Sequence, residues 1–143
     1  MKSWPHLRRS LVAILRGVTP DEVEAIADAL FAEGFEAIEV PLNSPDPFRS
    51  IEALARMAPD GALVGAGTVL TSDDVDRLAD AGGGLMVSPN TDVAVIAHAR
   101  SRGLFTMPGV FTPTEALAAA RAGASALKFF PASVLGPDGI KAI

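Results

Sequence analysis

The chain repeats one short pattern along nearly its whole length: an apolar run rich in β-formers, followed by a helical pattern. Six such runs recur about 20–26 residues apart, close to the length of one strand–helix unit. They occupy residues 11–15, 37–42, 63–67, 85–88, 104–107 and 126–130. Strands that alternate with helices across short loops predict a parallel sheet with helices on both faces.

Residues that favour helix ends separate these runs. Threonine-led segments open three of the predicted helices, at Thr19-Pro20, Thr71 and Thr112-Pro113. In the first of them, over 21–33, we expect Thr19 as the N-cap and Pro20 as the first helical residue. Glycines are predicted to close four helices just before the next strand, at Gly34, Gly82, Gly103 and Gly123.

Either an open doubly wound sheet or a closed (β/α)8 barrel fits this order of elements. No run leads into the G-x-G-x-x-G pattern of dinucleotide-binding sheets, because Gly65-Ala66-Gly67 continues as Thr68-Val69-Leu70. A closed barrel has eight units and typically about 200 residues or more, whereas these 143 residues carry six runs. If the fold is the closed barrel, residues 1–143 are expected to form one barrel domain that lacks its C-terminal units, with a seventh helix just starting at Gly139.

Composition excludes several classes of function. A net charge of −5 without a Lys/Arg cluster argues against a nucleic-acid partner, and apolar runs of about five residues are too short for a membrane span. The N-terminal lead does not fit a secretory signal, because its apolar stretch is short and ends at Arg16. The chain has no cysteine, so a cytoplasmic protein without disulfides is expected. His6 and His98 lack the spacing of metal ligands, and we expect no metal.

Polar or conformationally special residues gather at the carboxyl ends of the predicted strands. They are Arg16 after the first run, Glu39 in the second, Thr68 after the third, Pro89-Asn90 after the fourth, Pro108-Gly109 after the fifth and Lys128 in the sixth. In parallel α/β barrels, active sites are built at this end of the strands.

Lys128 is a lone ammonium inside the apolar run 126–130, and lysine is seldom fully buried unless its charge is paired or used. Loss of water disfavours the charged form of an amine, and a neutral amine is a nucleophile towards carbonyl carbon. The same pattern fits a lysine whose stem packs while its head reaches solvent.

Because side chains alternate along a strand, Glu39 shares a face of its strand with the residues two positions away. Lys128 shares a face of its own strand in the same way. If both faces point into a barrel, a carboxylate and an amine converge in a dry interior. That pair is either an internal salt bridge or a base beside a nucleophile, and we favour the second because perturbed ionisable groups cluster at functional sites.

Six segments, taken together, resemble the KDPG/KDPGal aldolases. They are Ile-Leu-Arg-Gly (14–17), Ile-Glu-Val-Pro-Leu-Asn-Ser-Pro (38–45), Gly-Ala-Gly-Thr-Val-Leu (65–70), Val-Ser-Pro-Asn (87–90), Pro-Gly-Val-Phe-Thr-Pro-Thr-Glu (108–115) and Leu-Lys-Phe-Phe-Pro-Ala (127–132). Each is weak alone, but six in order at matching spacing are specific. Within the family, Pro-Leu-Asn-Ser-Pro (41–45) is similar to the galactonate branch, whereas gluconate-specific relatives usually carry a Thr-Leu-Arg-Thr type segment there.

The resemblance implies a trimeric class I aldolase on a (β/α)8 barrel, without a cofactor, that cleaves 2-dehydro-3-deoxy-6-phosphogalactonate to pyruvate and glyceraldehyde 3-phosphate. It implies that Lys128 is the Schiff-base lysine and Glu39 the general acid/base. The implied substrate contacts are Arg16 and Thr68 at the carboxylate end, Pro89 and Phe130 along the pyruvate pocket, and Asn43 among the residues that set stereochemistry at C4. The family's phosphate cup follows strands seven and eight, for which this sequence has no counterpart.

Alternatives remain. The resemblance also covers 2-dehydro-3-deoxy-6-phosphogluconate aldolases. A non-catalytic phosphosugar-binding or assembly module would keep Lys128 and Glu39 as structural ions, and another phosphate-binding barrel enzyme would use acid–base chemistry without a covalent step. Individual residues also have structural roles to consider: a surface ion pair for Arg16, a helix cap for Thr68, and a close approach or a tight turn for Gly65 and Gly67.

Overall fold

The computed structural model describes residues 3–143 and alternates strands with helices throughout. The elements are β1 (Ala13–Ile14), α1 (Val23–Ala32), β2 (Ala37–Pro41), α2 (Pro47–Met57), β3 (Leu63–Gly67), α3 (Ser72–Asp80), β4 (Leu85–Val87), α4 (Val93–Ser101), β5 (Phe105–Met107), β6 (Gly109–Val110), α5 (Pro113–Ala122), β7 (Lys128–Phe129) and α6 (Ala132–Ala142). Strands β1 to β5 form one parallel sheet in chain order, and β6 pairs in parallel with β7.

The architecture is that of a (β/α)8 barrel of which this chain holds six strand–helix units. β5 and β6 lie in one extended segment interrupted at Pro108, so together they count as one barrel strand. Backbone N–H groups of Ser125 and Ala126 donate to Thr106 O, which continues the sheet from β5 towards β7. The expectation of a further helix starting at Gly139 is close to what is observed. The segment α6 is broken at Gly136, whose φ of 65° and ψ of 173° are not helical, and a second helical stretch that includes Gly139 follows this kink.

Strand alternation divides the apolar residues into two clusters. The outward faces of the strands pack against the helices, through residues such as Ile38, Val64 and Met86. The inward residues at the amino ends of the strands form a smaller cluster that includes Leu63 and Leu85. The segment before β1 packs against this smaller cluster. Leu7 is buried in the cluster, and Trp4 packs edge-on against Phe105 with ring centroids 6.4 Å apart. The lower interior is therefore apolar, which leaves the upper end for polar groups.

The predicted helix ends are mostly confirmed. Thr71 and Thr112 both form capping boxes, in which the threonine hydroxyl accepts from the third helical N–H and the acidic residue there bonds back. Gly123 ends α5 with a left-handed φ of 94°. The prediction for Thr19 is wrong: Glu22 is the N-cap of α1, and its carboxylate accepts from the N–H and hydroxyl of Thr19 at 3.1 and 2.7 Å.

Several strands are shorter than their apolar runs, most clearly β1, which pairs with β2 only through Ala13 and Ile14. Within residues 3–143, no helix has both the length and the apolar character needed to cross a bilayer.

Candidate active site

The strands bring Glu39 and Lys128 together inside the upper barrel. Glu39 lies in the middle of β2 opposite Gly65, and Lys128 begins β7 opposite Gly109. Lys128 Nζ is 3.9 Å from Glu39 Oε1. The Glu39 side chain is 2% exposed and that of Lys128 is 24% exposed. The predicted convergence is therefore observed, but the expectation of a fully dry interior is wrong, because the Lys128 side chain is partly exposed.

Lys128 and Glu39 lie close together, but no hydrogen bond joins them. A separation of 3.9 Å is too long for a hydrogen bond, and Lys128 Nζ lies 5.2 Å from the centre of the Phe130 ring. Glu39 Oε2 is buried and has no hydrogen-bond partner among the described residues. Burial raises the pKa of Glu39, and the positive charges of Lys128 and Arg16 offset part of that rise. This carboxyl group is suited to hold and release a proton beside an amine with room to react.

The absence of a side chain at Gly67 makes the space for Glu39. A Cβ on Gly67 would lie 1.8 Å from Glu39 Oε2 and 2.5 Å from its carboxyl carbon. A Cβ on Gly65 would lie 1.8 Å from Leu85 O, on the next strand. Both glycines lie within β3, so the close-approach alternative is correct and the tight turn is not.

We expect Glu39→Gln to become progressively more stable than wild type as pH rises. A carboxyl with a raised native pKa gives its full stability below its unfolded pKa of about 4.3, and that contribution is lost as pH rises through the native pKa. Urea unfolding of both proteins between pH 4 and pH 8 measures the difference. Glu115→Gln serves as a control with the opposite slope, because backbone N–H donors lower the pKa of Glu115. A difference that stays flat with pH would contradict the prediction for Glu39.

Arg16 lies on the rim beside the loop that follows β2. Its Nη1 is 3.4 Å from Asn43 Oδ1, a long hydrogen bond. Among residues 3–143 it makes no ion pair, so the surface ion pair considered for it is not observed. The neighbouring amide of Gly17 donates to Ser44 Oγ at 3.0 Å. Ser44 is a contact that the sequence analysis missed, because nothing local indicates a bond across 27 residues.

Thr68 follows β3 with a φ of 59°, in the left-handed region. A β-branched residue is rare there, and such strain concentrates at functional sites. Its hydroxyl has no hydrogen-bond partner within the described part of the chain, and Thr71 supplies the cap of α3. The helix-cap role considered for Thr68 is therefore wrong, and its hydroxyl is available at the rim.

We expect Thr68→Gly to stabilise the protein by about 0.5–1 kcal/mol, since relief of left-handed strain, about 1–2 kcal/mol, exceeds the entropic cost of glycine, about 0.5–1 kcal/mol. Thr68→Val is the matched comparison, because it removes the hydroxyl but keeps the branched Cβ and its strain. Chemical denaturation ranks the three proteins, and a glycine variant less stable than Thr68→Val would refute the strain argument.

A cleft of about 240 Å³ opens beside Phe130 on the same rim. Pro89 and Phe130, the two predicted pocket residues, both line it. Lys128 and Glu39 do not, so the cleft lies beside the amine, with Phe130 between. The other lining residues, which the sequence analysis did not single out as a pocket, are Asn90, Gly109, Val110, Phe111, Glu115 and Pro131.

The remaining candidate residues lie elsewhere. His98 Nε2 is 2.9 Å from Asp76 Oδ1, in a contact between α4 and α3 outside the barrel interior. Arg102 also pairs with Asp76 and with Asp80. Across residues 3–143 there is no cluster of three or more His, Cys, Asp or Glu side chains that could hold a metal ion.

Known proteins with similar sequences and structures share this arrangement of elements. The protein is 68% identical over 139 residues to a probable 2-dehydro-3-deoxy-6-phosphogalactonate aldolase of Rhizobium meliloti, covering 97% of this chain and 66% of that protein. A solved structure described as native KDPGal superposes with a TM-score of 0.94 at 48% identity, covering 99% of this chain and 68% of the other.

A KDPG aldolase from Legionella pneumophila, with pyruvate captured as a covalent carbinolamine intermediate, superposes with a TM-score of 0.83 at 29% identity. That match covers 92% of this chain and 64% of the other. The chain thus spans about two thirds of the length of its relatives, or slightly less. The family model described as KDPG and KHG aldolase matches residues 6–143. This chain belongs to the KDPG and KHG aldolase family.

Proposed function

We propose that the protein is a class I aldolase that cleaves 2-dehydro-3-deoxy-6-phosphogalactonate to pyruvate and glyceraldehyde 3-phosphate. The observation that carries the proposal is the 3.9 Å approach of Lys128 Nζ to Glu39 Oε1 inside the barrel. Family membership and the 68% identity to a probable aldolase of this substrate support the reaction class.

Lys128 supplies the nucleophile. Its amine nitrogen adds to the C2 ketone of the substrate, the resulting carbinolamine loses water, and a protonated imine then joins Nζ to C2. The imine withdraws electrons from the adjacent C3–C4 bond. The carbinolamine of pyruvate in the Legionella enzyme supports this route, because a carbinolamine precedes the imine.

Glu39 moves the proton that bond cleavage requires. Its carboxylate takes the C4 hydroxyl proton, the C3–C4 electron pair moves into the imine, and glyceraldehyde 3-phosphate leaves as the aldehyde. The enamine is protonated at C3, and hydrolysis releases pyruvate and Lys128. Burial raises the pKa of Glu39, which suits a group that accepts and returns a proton.

The rim residues are assigned to the substrate. The planar guanidinium of Arg16 suits bidentate binding of the carboxylate, and the unpartnered hydroxyl of Thr68 suits the same end. The proposed apolar wall of the pyruvate pocket consists of Pro89 and Phe130, and Asn43 lies towards C4.

Borohydride reduction in the presence of pyruvate tests the proposal. We expect a stable carboxyethyl adduct whose site, mapped by peptide mass spectrometry, is Lys128. Lys141 at the end of α6 is an internal control, because it is an exposed lysine that is not paired with Glu39. Modification of both lysines to the same extent, or of neither, would refute a Schiff-base mechanism and support the non-catalytic binding module.

Stereochemistry at C4 is tested by the two epimeric substrates. The galactonate proposal predicts a higher kcat/KM for 2-dehydro-3-deoxy-6-phosphogalactonate than for the gluconate epimer. Relatives described as 2-dehydro-3-deoxy-phosphogluconate aldolases, such as that of Treponema pallidum at 35% identity, make the gluconate epimer the second candidate. A preference for that epimer would replace the substrate without changing the mechanism.

We also propose a homotrimer, which the family resemblance implies. Exposed apolar side chains such as Leu117 on α5 and Val134 on α6 are available for contacts between subunits. Light scattering should report three times the mass of one chain, and a monomer at micromolar concentration would exclude the trimer.

A further inference from the structure

We propose that Ser44 is a positioning residue, which holds Arg16 in the orientation that binds the substrate carboxylate. This inference rests on the proposed function, in which Arg16 binds that carboxylate. It adds a residue with no assigned role, and it explains how an exposed arginine on a short loop acquires a defined direction.

Both chain neighbours of Arg16 are tied to the segment that carries Glu39. On one side, Leu15 N donates to Glu39 O at 2.9 Å. On the other side, Gly17 N donates to Ser44 Oγ at 3.0 Å. The Gly17 amide belongs to the same peptide plane as the Arg16 carbonyl, so the bond to Ser44 restrains ψ of Arg16. Hydrogen bonds on both sides of Arg16 therefore attach its backbone to the segment that carries Glu39.

Ser44 is itself a fixed acceptor. It is 7% exposed, and its own N–H donates to Pro41 O at 2.9 Å in the turn that ends β2. Leu42, two residues before Ser44, donates its N–H to Gly67 O at 2.8 Å. The hydroxyl of Ser44 is thus attached to β2 and β3, the two strands that hold and accommodate the Glu39 carboxyl group.

No comparable restraint acts on the Arg16 side chain. Its one hydrogen bond to a described residue is the 3.4 Å contact with Asn43 Oδ1, which is long and exposed. Gly17 has a φ of 81°, a conformation that glycine reaches and leaves easily. Without the Ser44 hydroxyl, the peptide between Arg16 and Gly17 keeps only the long turn bond from Val18 N to Leu15 O, at 3.3 Å. We expect the guanidinium to be less well oriented as a result.

The test measures imine trapping on Lys128 across a range of pyruvate concentrations. We expect Ser44→Ala to raise the half-saturating pyruvate concentration about three- to tenfold, the effect of one hydrogen bond, while the limiting trapping rate stays within about twofold. Ser44→Thr, which keeps the hydroxyl, should restore half-saturation. Trapping of acetone, a ketone without a carboxylate, should be the same in wild type and Ser44→Ala.

Ser125→Ala is the matched control. Ser125 Oγ accepts from Thr106 N at 3.2 Å, so the variant also removes a serine hydroxyl from a backbone N–H, but away from Arg16. It should leave half-saturation by pyruvate unchanged. In an Arg16→Ala background, Ser44→Ala should add no further weakening, because the two residues act as one unit.

The outcomes separate this inference from the proposed function. No adduct on wild-type Lys128 would refute the aldolase mechanism and this inference with it. An adduct on wild type together with unchanged half-saturation in Ser44→Ala would refute the role of Ser44 alone. Equal weakening of pyruvate and acetone, or full additivity with Arg16→Ala, would also refute it, since a merely structural serine gives that result.

Discussion

Lys128→Ala is expected to abolish imine formation with pyruvate and to lower the rate of aldol cleavage by roughly 10⁵-fold or more, the scale on which enzymes lose activity with their covalent nucleophile. The alanine variant leaves Glu39 in place but removes the atom that bonds to C2. Binding at the rim continues, because the proposed carboxylate and pocket contacts belong to Arg16, Thr68 and Phe130. Steady-state cleavage and borohydride trapping measure the two losses separately.

Lys128→Arg makes this prediction decisive. Arginine keeps a positive charge opposite Glu39 and beside the Phe130 ring, but its guanidinium is not a nucleophile at neutral pH. If Lys128 and Glu39 were structural ions, Lys128→Arg would preserve function and stability. If Lys128 is the nucleophile, the arginine variant folds with near wild-type stability and cleaves no substrate. Lys141→Arg is the control and should behave as wild type. Substantial cleavage by Lys128→Arg would exclude the covalent mechanism.

Local rules account for the parts of this molecule that were predictable. A strand presents alternate residues to one face, so the convergence of Glu39 and Lys128 followed from the sequence on the condition that both faces point into the barrel. Thr71 and Thr112 became caps because an acidic residue three positions later completes the box. At Thr19 the same chemistry produced a different result, since Glu22 bonds back to Thr19 and itself becomes the N-cap.

The unpredicted features depend on contacts between distant segments. The bond from Gly17 to Ser44 joins residues 27 apart, and each partner has ordinary loop chemistry in its own neighbourhood. The exposure of Lys128 depends on what lies above the rim, which an apolar run cannot specify. Gly67 is a similar case: register pairs it with Pro41, and its role is visible only once the side chain of Glu39 is seen to reach it. Local composition thus identifies the reactive groups, and long-range packing decides how they are held.

The close approach of Gly67 to the Glu39 carboxyl group leads to the second large prediction. Gly67→Ala should lower aldol cleavage by about 10²–10⁴-fold, the usual contribution of a positioned acid/base, while Lys128 still forms an imine with pyruvate. A Cβ at this position would lie 1.8 Å from Glu39 Oε2, so the carboxyl group must leave its place. Glu39→Gln should show the same separation between a retained imine and lost cleavage, because it removes the same proton transfer without adding bulk.

Stability shows whether Gly67→Ala acts through Glu39. The added methyl should cost about 1–3 kcal/mol of unfolding free energy, as overpacking usually does, and much less in a Glu39→Ala background where the carboxyl is gone. Gly84→Ala is the matched control, since a Cβ there meets no atom within 4 Å. Urea unfolding of the double-mutant cycle gives the coupling between the two positions. If the cost of Gly67→Ala is the same in both backgrounds, the methyl group displaces something other than Glu39. The space beside β3 would then have no part in placing the acid/base.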